Sequence, residues 1–175
     1  VKEFYALDVP VEVQLVEEVF AGSWDALQSR RIDLIVGADQ VSKPAGSFTT
    51  KPLGDMAFVY AVAPDHPLTR ASQPLKEEDI ARFPAAVAAD PPRSLPPGHA
   101  GIFRRQRTVT VANIHQKIAV QETGLAVGWL PEARVREQLA SGSLIALKVH
   151  EPRQAIQLHL ARHAEDQGKA LMWFW

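Results

Sequence analysis

The sequence predicts an α/β domain of two lobes joined by two crossover strands. Strand-like and helix-like segments alternate through most of the 175 residues. Two apolar segments, 56–63 and 155–161, lie far apart in the chain, and each is flanked by turn-rich sequence, as two passages between lobes would be. Apolar residues make up 46% and charged residues 22%, which suits a packed core and not a disordered chain.

The elements follow in order. Val1 to Tyr5 read as the end of a helix. Val11, Val13 and Leu15 alternate with Glu12 and Gln14, the period of a half-buried strand over 11–16. Ser23 is placed to cap a short helix over 24–28, with Trp24 on its core side. Residues 32–37 form a nearly continuous apolar run, a strand covered on both faces as parallel sheets require. Residues 39–54 are polar and rich in turn formers. Residues 56–63 read as one long strand, stopped by Pro64 and Pro67. A helix over 76–83 ends at Pro84, and 85–89 is a strand of small residues. Residues 90–107 are proline-rich and irregular. Val109 and Val111 mark a strand, after which Asn113 caps a helix over 114–123 with Gly124 behind it. Residues 125–130 are an apolar strand, and Pro131 opens a helix running to Leu139. Gly142 turns the chain into a strand over 144–149, 155–161 is another, and 169–175 begins a helix. The alternation predicts parallel sheets.

Several chemistries are excluded or unsupported. The chain has no Cys, so thiolate metal sites, disulfides and cysteine nucleophiles are ruled out. Its net charge of -1 exerts no general pull toward nucleic acid or an anionic membrane. No apolar run approaches the roughly 18 residues of a spanning helix. No phosphate-binding, nucleophile-elbow or zincin motif occurs. His159 and His163 have metal-ligand spacing, but they are expected to straddle a strand end and a loop. Arg93, Arg104, Arg105 and Arg107 occupy a stretch without acids, which fits a solvated basic loop or a guanidinium aimed at an anion.

Open α/β sheets bind ligands beyond the carboxyl ends of strands and at helix N-termini. Three segments answer that description. Ala38, Asp39 and Gln40 follow the strand 32–37; Asn113, Ile114 and His115 open a helix; Gly128, Trp129 and Leu130 close a strand before Pro131. Trp129 fits either the core or a pocket wall.

Four longer stretches carry a family resemblance. VEVQLVEEVFAGSWDALQSRRIDLIVGA (11–38), PLGDMAFVYAVAPDHPL (52–68), VTVANIHQKIAVQETGLAVGWLPEARVREQLASGSLIAL (109–147) and GKALMWF (168–174) resemble, in order and spacing, the effector-binding domain of LysR-type transcriptional regulators. The PPRSLPP segment resembles a subgroup whose pattern is closer to DTSR.LP, with Pro91 and Pro92 in place of Thr and Ser; Asp90 and Arg93 join the ligand-binding candidates on that basis.

The resemblance implies a two-lobed fold like that of periplasmic binding proteins, with lobe I at 1–58 plus 158–175 and lobe II at 59–157. It implies a ligand-sensing domain of a cytoplasmic bacterial regulator, in which a small effector between the lobes alters a DNA-bound homodimer or homotetramer. The DNA-binding winged helix-turn-helix, the first strand and most of the first helix of such a domain are not found in the sequence, so DNA contact is expected only through the region not present. In the implied antiparallel dimer, the strand 11–16 and the helix 114–123 are the contact surfaces. No enzyme activity, cofactor, metal or membrane contact is expected. A periplasmic solute-binding protein and a small enzyme on the same fold are the rival readings.

Overall fold

The computed structural model describes residues 1–19, 21–89 and 101–175. Helix α1 (Lys2–Tyr5) is followed by an irregular run to residue 19 and by α2 (Ala21–Gln28). Strand β1 (Ile35–Ala38) leads to β2 (Phe48–Met56) and β3 (Phe58–Val62). Helix α3 (Glu77–Ile80), β4 (Ala85–Ala88), β5 (Thr108–Val111), α4 (Ile114–Glu122) and β6 (Gly128–Pro131) come next. The chain closes with α5 (Arg136–Ser141), β7 (Ile145–Leu147), β8 (Ile156–His163) and α6 (Lys169–Phe174).

The first sheet has the order β1-β8-β2, antiparallel throughout. Helix α2 covers one of its faces. Trp24 and Leu27 are fully buried there with Ile35, Ala38 and Ala161. The Trp24 indole N–H also donates to the Asp39 carbonyl at 2.7 Å, tying the helix to the end of β1. The chain termini meet on this unit: the Phe4 ring lies 5.2 Å from Trp173 and 4.8 Å from Phe174, and Lys51 Nζ donates to the Trp175 carbonyl.

The second sheet contains β6-β3-β7, again antiparallel. The parallel pair β4-β5 extends it, because Ala86 N–H donates to the Val127 carbonyl and Val127 N–H to that of Pro84. Both faces are covered. Tyr60, Val62, Leu75, Ile80, Val127 and Trp129 form the core on one side. On the other, Ile118 of α4 packs on Ala61, Leu130, Val135 and Leu144.

The structure corrects several sequence expectations. Residues 11–16 form no strand: Leu15 is 79% exposed, and no described segment supplies a ladder beside it, without which a period-2 pattern cannot hold a strand. The strand at 32–37 is shifted to 35–38. It is an antiparallel edge strand with Val36 73% exposed, not a parallel strand covered on both faces. Parallel pairing is confined to β4-β5 and isolated bridges, because the crossovers place the long strands antiparallel. The expected strand 56–63 is two strands broken at Ala57. Half of the supposed turn region is in fact β2, which tolerates Pro52 and Gly54 as an edge strand with a register shift between them. Ser23 lies inside α2 and does not precede it. The helix after Pro131 splits into a 3-10 turn, Glu132–Arg134, and α5. Asp90, Arg93 and the PPRSLPP segment lie outside the described residues.

Replacing Trp24 by Ala removes a fully buried ring together with its hydrogen bond. Denaturant unfolding should show a loss of about 3–5 kcal/mol. Val36→Ala, on the exposed edge, should stay within about 0.5 kcal/mol of the parent.

Candidate functional site

Strand polarity decides where a ligand can meet this molecule. The chain leaves the first sheet at Met56, paired with Ile156 of β8, and enters the second at Phe58, paired with Pro131 of β6. Strand β6 runs parallel to β4, and β4 to β5, so the carboxyl ends of all three lie at the crossover end of the second sheet. Strand β7, antiparallel to β3, ends there too. In the first sheet, Ala38 at the end of β1 pairs with His159, toward the crossover end of β8. The 38–40 segment and the start of α4 therefore lie at the crossover ends of their sheets, whereas the expected strand 125–130 is shifted to 128–131, so Gly128 opens β6 opposite Ala61, away from the crossover, and only Leu130 and Pro131 reach that end.

Their side chains are not equally free. Ala38 is buried in the core, and Asp39 is almost so. The Asp39 carbonyl accepts from Trp24 and its Oδ1 accepts from the Ser42 N–H at 2.7 Å, so this acid shapes the turn after β1. Gln40 is exposed. Asn113 caps α4: its Oδ1 accepts from the Gln116 N–H at 2.9 Å, while Gln116 Oε1 accepts from the Ala112 N–H. The N–H groups of Ile114 and His115 donate to no described acceptor and stand at the positive end of the helix. Arg134 Nη2 lies 3.1 Å from His115 Nε2. Since Arg can only donate, that nitrogen accepts, and the exposed His115 ring carries its proton on Nδ1. Leu130 is buried beneath α4 and offers no contact. No described hydrogen bond joins the 38–40 segment to the 113–115 segment.

Trp129 is both core and wall. It packs edge-to-face on Tyr60, centroids 5.2 Å apart, and lines a cavity of about 350 Å³ with Gly101, Ile102, Phe103, Glu151 and Arg153. The Arg153 guanidinium sits 3.8 Å over the Phe58 ring, beside the first crossover. A larger hollow of about 600 Å³ lies between α3 and the 103–105 turn, where the Arg104 N–H donates to Glu77 Oε1; the exposed Arg104 and Arg105 line it, and Arg107 is exposed just before β5. His159 and His163 both lie on β8, not on a strand end and a loop. They serve different surroundings: His163 Nε2 is 2.8 Å from the Leu27 carbonyl, and His159 Nδ1 is buried without a partner.

Two residues of α4 carry a signal that the sequence reading missed. Lys117 is only 4% exposed, and its side chain makes no hydrogen bond or ion pair with a described residue. Burial, and secondarily the charge of Arg153, pushes its ammonium down to about 8. Gln121, one turn further on, is fully buried with both amide atoms unpartnered. Both lie over Gly128: a Cβ there would meet Gln121 Nε2 at 3.3 Å and Lys117 Cε at 3.9 Å. The i, i+4 spacing was legible, but a Lys and a Gln on a helix ordinarily mark its solvent side.

The comparisons with known proteins fit this architecture. The family model described as the LysR substrate binding domain matches residues 1–175, so the chain belongs to that family. Among curated relatives, the uncharacterised HTH-type transcriptional regulator YeeY of Escherichia coli K12 is 34% identical over 149 residues, 85% of this chain and 48% of YeeY. The HTH-type transcriptional regulator PunR of Escherichia coli K12 is 28% identical over 171 residues, 98% of this chain and 55% of PunR. The chain thus spans about half the length of the curated relatives it matches. The regulatory domain of MetR, a LysR family regulator from N. meningitidis, superposes with a TM-score of 0.70 at 19% identity, covering 99% of this chain and 80% of that one. The fold is therefore the two-lobed, periplasmic-binding-protein-like α/β fold.

Lys117 should mark the alkaline stability profile. Its folded-state proton is lost near 8 and its unfolded-state proton near 10.5, so the unfolded chain holds more protons between these values. Stability contributed by this group therefore rises as pH climbs through that window. At pH 7 the buried charge costs about 3 kcal/mol, from 1.36 kcal/mol per pH unit. Lys117→Met should be more stable than the parent at pH 7, and the difference should vanish toward pH 10.5 in denaturant titrations at matched ionic strength. An unchanged pH profile in the variant would contradict the assignment.

Proposed function

We propose that this chain is the ligand-sensing domain of a LysR-type bacterial transcriptional regulator and has no catalytic activity of its own. The observation that carries the reading is the convergence of β1, β4, β5, β6 and the N-terminus of α4 on the crossover end, in a chain whose whole length matches the LysR substrate binding domain. The relatives are transcriptional regulators, which favours sensing over solute transport.

On this reading lobe I comprises 1–58 plus 158–175 and lobe II 59–157. A small effector lies between them, against Gln40 on one side and the free N–H groups of Ile114 and His115 on the other, with Gly128 and Trp129 close by. Its differential affinity for the closed arrangement biases lobe closure, which resets a homodimer or homotetramer held on DNA by a separate winged helix-turn-helix domain. The regulator acts in the cytoplasm. No helix among the described residues is long and apolar enough to cross a membrane.

The test is a thermal-shift screen against carboxylates, aromatics and nucleosides. A ligand at a hundred times its dissociation constant should stabilise the domain by about 2.7 kcal/mol. Asn113→Ala and His115→Ala should diminish that gain more than they lower unliganded stability. Arg136→Ala, on α5 outside the cleft, should keep it. Equal responses in all three variants would place the ligand elsewhere.

A further inference from the structure

Arg104 and Arg105, from the acid-free basic stretch of the sequence, have no part in the cleft. They line the hollow of about 600 Å³ on the face of the second sheet opposite α4, within the range of about 300–1,000 Å³ usual for small-molecule sites. Three segments bound it, and each is pinned. Helix α3 is one. The 103–105 turn faces it, held by the buried Gln106, whose Nε2 donates to the Phe83 carbonyl at 3.0 Å and whose Oε1 accepts from the Phe103 N–H at 3.1 Å. The third, 149–151, is fixed where the His150 N–H donates to the Leu75 carbonyl at 2.9 Å. Leu75, Phe103 and Val149 give the hollow an apolar floor. Its charges are divided between the walls. Glu77 and Glu78 stand on α3 and Glu151 on the third segment, while Arg104 and Arg105 stand on the turn; Lys76 and His150 complete the rim. Neither guanidinium, and neither the Glu78 nor the Glu151 carboxylate, makes an ion pair or hydrogen bond with a described residue, since Arg104 meets Glu77 through its backbone N–H alone. Arg105 also holds a left-handed φ of +64°, a conformation that side chains disfavour and that collects at ligand clamps.

We propose that this hollow is a second ligand site of the domain, separate from the cleft between the lobes, and that it takes a zwitterion of dipeptide size with an apolar side chain. The carboxylate meets Arg104 and Arg105, whose planar guanidinium forks suit it. The ammonium meets Glu78 and Glu151, and the apolar side chain lies on Phe103 and Val149. A ligand with a single charge would leave one set of facing charges unanswered, and complementarity of both signs is what selects the partner. The site does not depend on the ligand-sensing reading above. Phe103 and Glu151 also line the cavity beside Trp129, so the two cavities share a wall.

The experiment titrates alanyl-leucine into the nitrogen-15-labelled 175-residue chain at constant ionic strength. Parallel arms use N-acetyl-alanyl-leucine, which keeps only the carboxylate, and alanyl-leucinamide, which keeps only the ammonium. The free dipeptide should move the amide signals of Arg104, Arg105 and Glu151 saturably and leave those of Ile114 and His115 in place. Capping either end should weaken binding about fivefold, the upper range for one exposed ion pair. Two paired variants assign the ends. Arg104→Gln with Arg105→Gln should bind the dipeptide and its leucinamide equally, and Glu78→Gln with Glu151→Gln should bind the dipeptide and its acetylated form equally. Each variant is read by the cap it ceases to detect, which a general loss of structure does not imitate, and Val36→Ala should discriminate like the parent. The proposal is overturned by the absence of saturable shifts at the hollow, by a capped form that binds the parent as tightly as the free dipeptide, or by cap preferences that persist in both paired variants. Shifts at Ile114 and His115 in place of those at Arg104 would assign the dipeptide to the cleft and overturn it equally.

Discussion

The structure depends on two crossovers that run side by side. Strands β2 and β8 stay paired down to Met56 and Ile156, and one residue later β3 is anchored to β6, with the Glu132 N–H donating to the Ala57 carbonyl at 3.0 Å. The break between sheets is therefore a single residue wide on the outgoing strand. Because both passages sit at one end of each sheet, strand polarity leaves no choice about which ends face across: the carboxyl ends of β1, β4, β5 and β6 do. The amino end of α4, which follows β5 after two residues, is brought to the same place.

Packing in the second sheet then fixes what α4 can present. Ile118 inserts among Ala61, Leu130 and Val135, and the side chains one residue before it and three after it are buried as well, over Gly128. Those positions are Lys117 and Gln121. A sequence selected only for stability would place apolar residues there, since well-packed apolar groups commonly replace buried charges without loss. The polar pair is accommodated because residue 128 has no side chain, at a backbone φ of +153° that also favours glycine.

Much of this architecture was legible from the sequence because local chemistry agreed with the tertiary outcome. Asn113 predicted its own capping bond, Gly124 took the left-handed conformation expected behind its helix, and Trp24 entered the core. The failures share a cause in tertiary context. Val11, Val13 and Leu15 have a strand's alternation and no partner. Phe48 to Leu53 form a strand despite Pro52, because an edge needs fewer donors. The apolar run at 32–37 could not reveal that β1 is an edge with Val36 uncovered. Among the candidate segments, the strand end at Ala38 was readable and side-chain availability was not: Asp39 follows that strand as expected, but Trp24 and Ser42 already claim its carbonyl and carboxylate.

That difference in availability orders the proposed binding events. Lobe I offers the exposed Gln40, with Ala38 and Asp39 committed to the fold, whereas lobe II offers free helical N–H groups and an aromatic wall. A helix N-terminus contributes about 0.3–1 kcal/mol toward an anion at an exposed site. On the proposed reading, then, lobe II captures the ligand, and lobe I closes over a ligand already held. Closure then strengthens the polar contacts made at the helix end, because charge attraction strengthens as water is excluded.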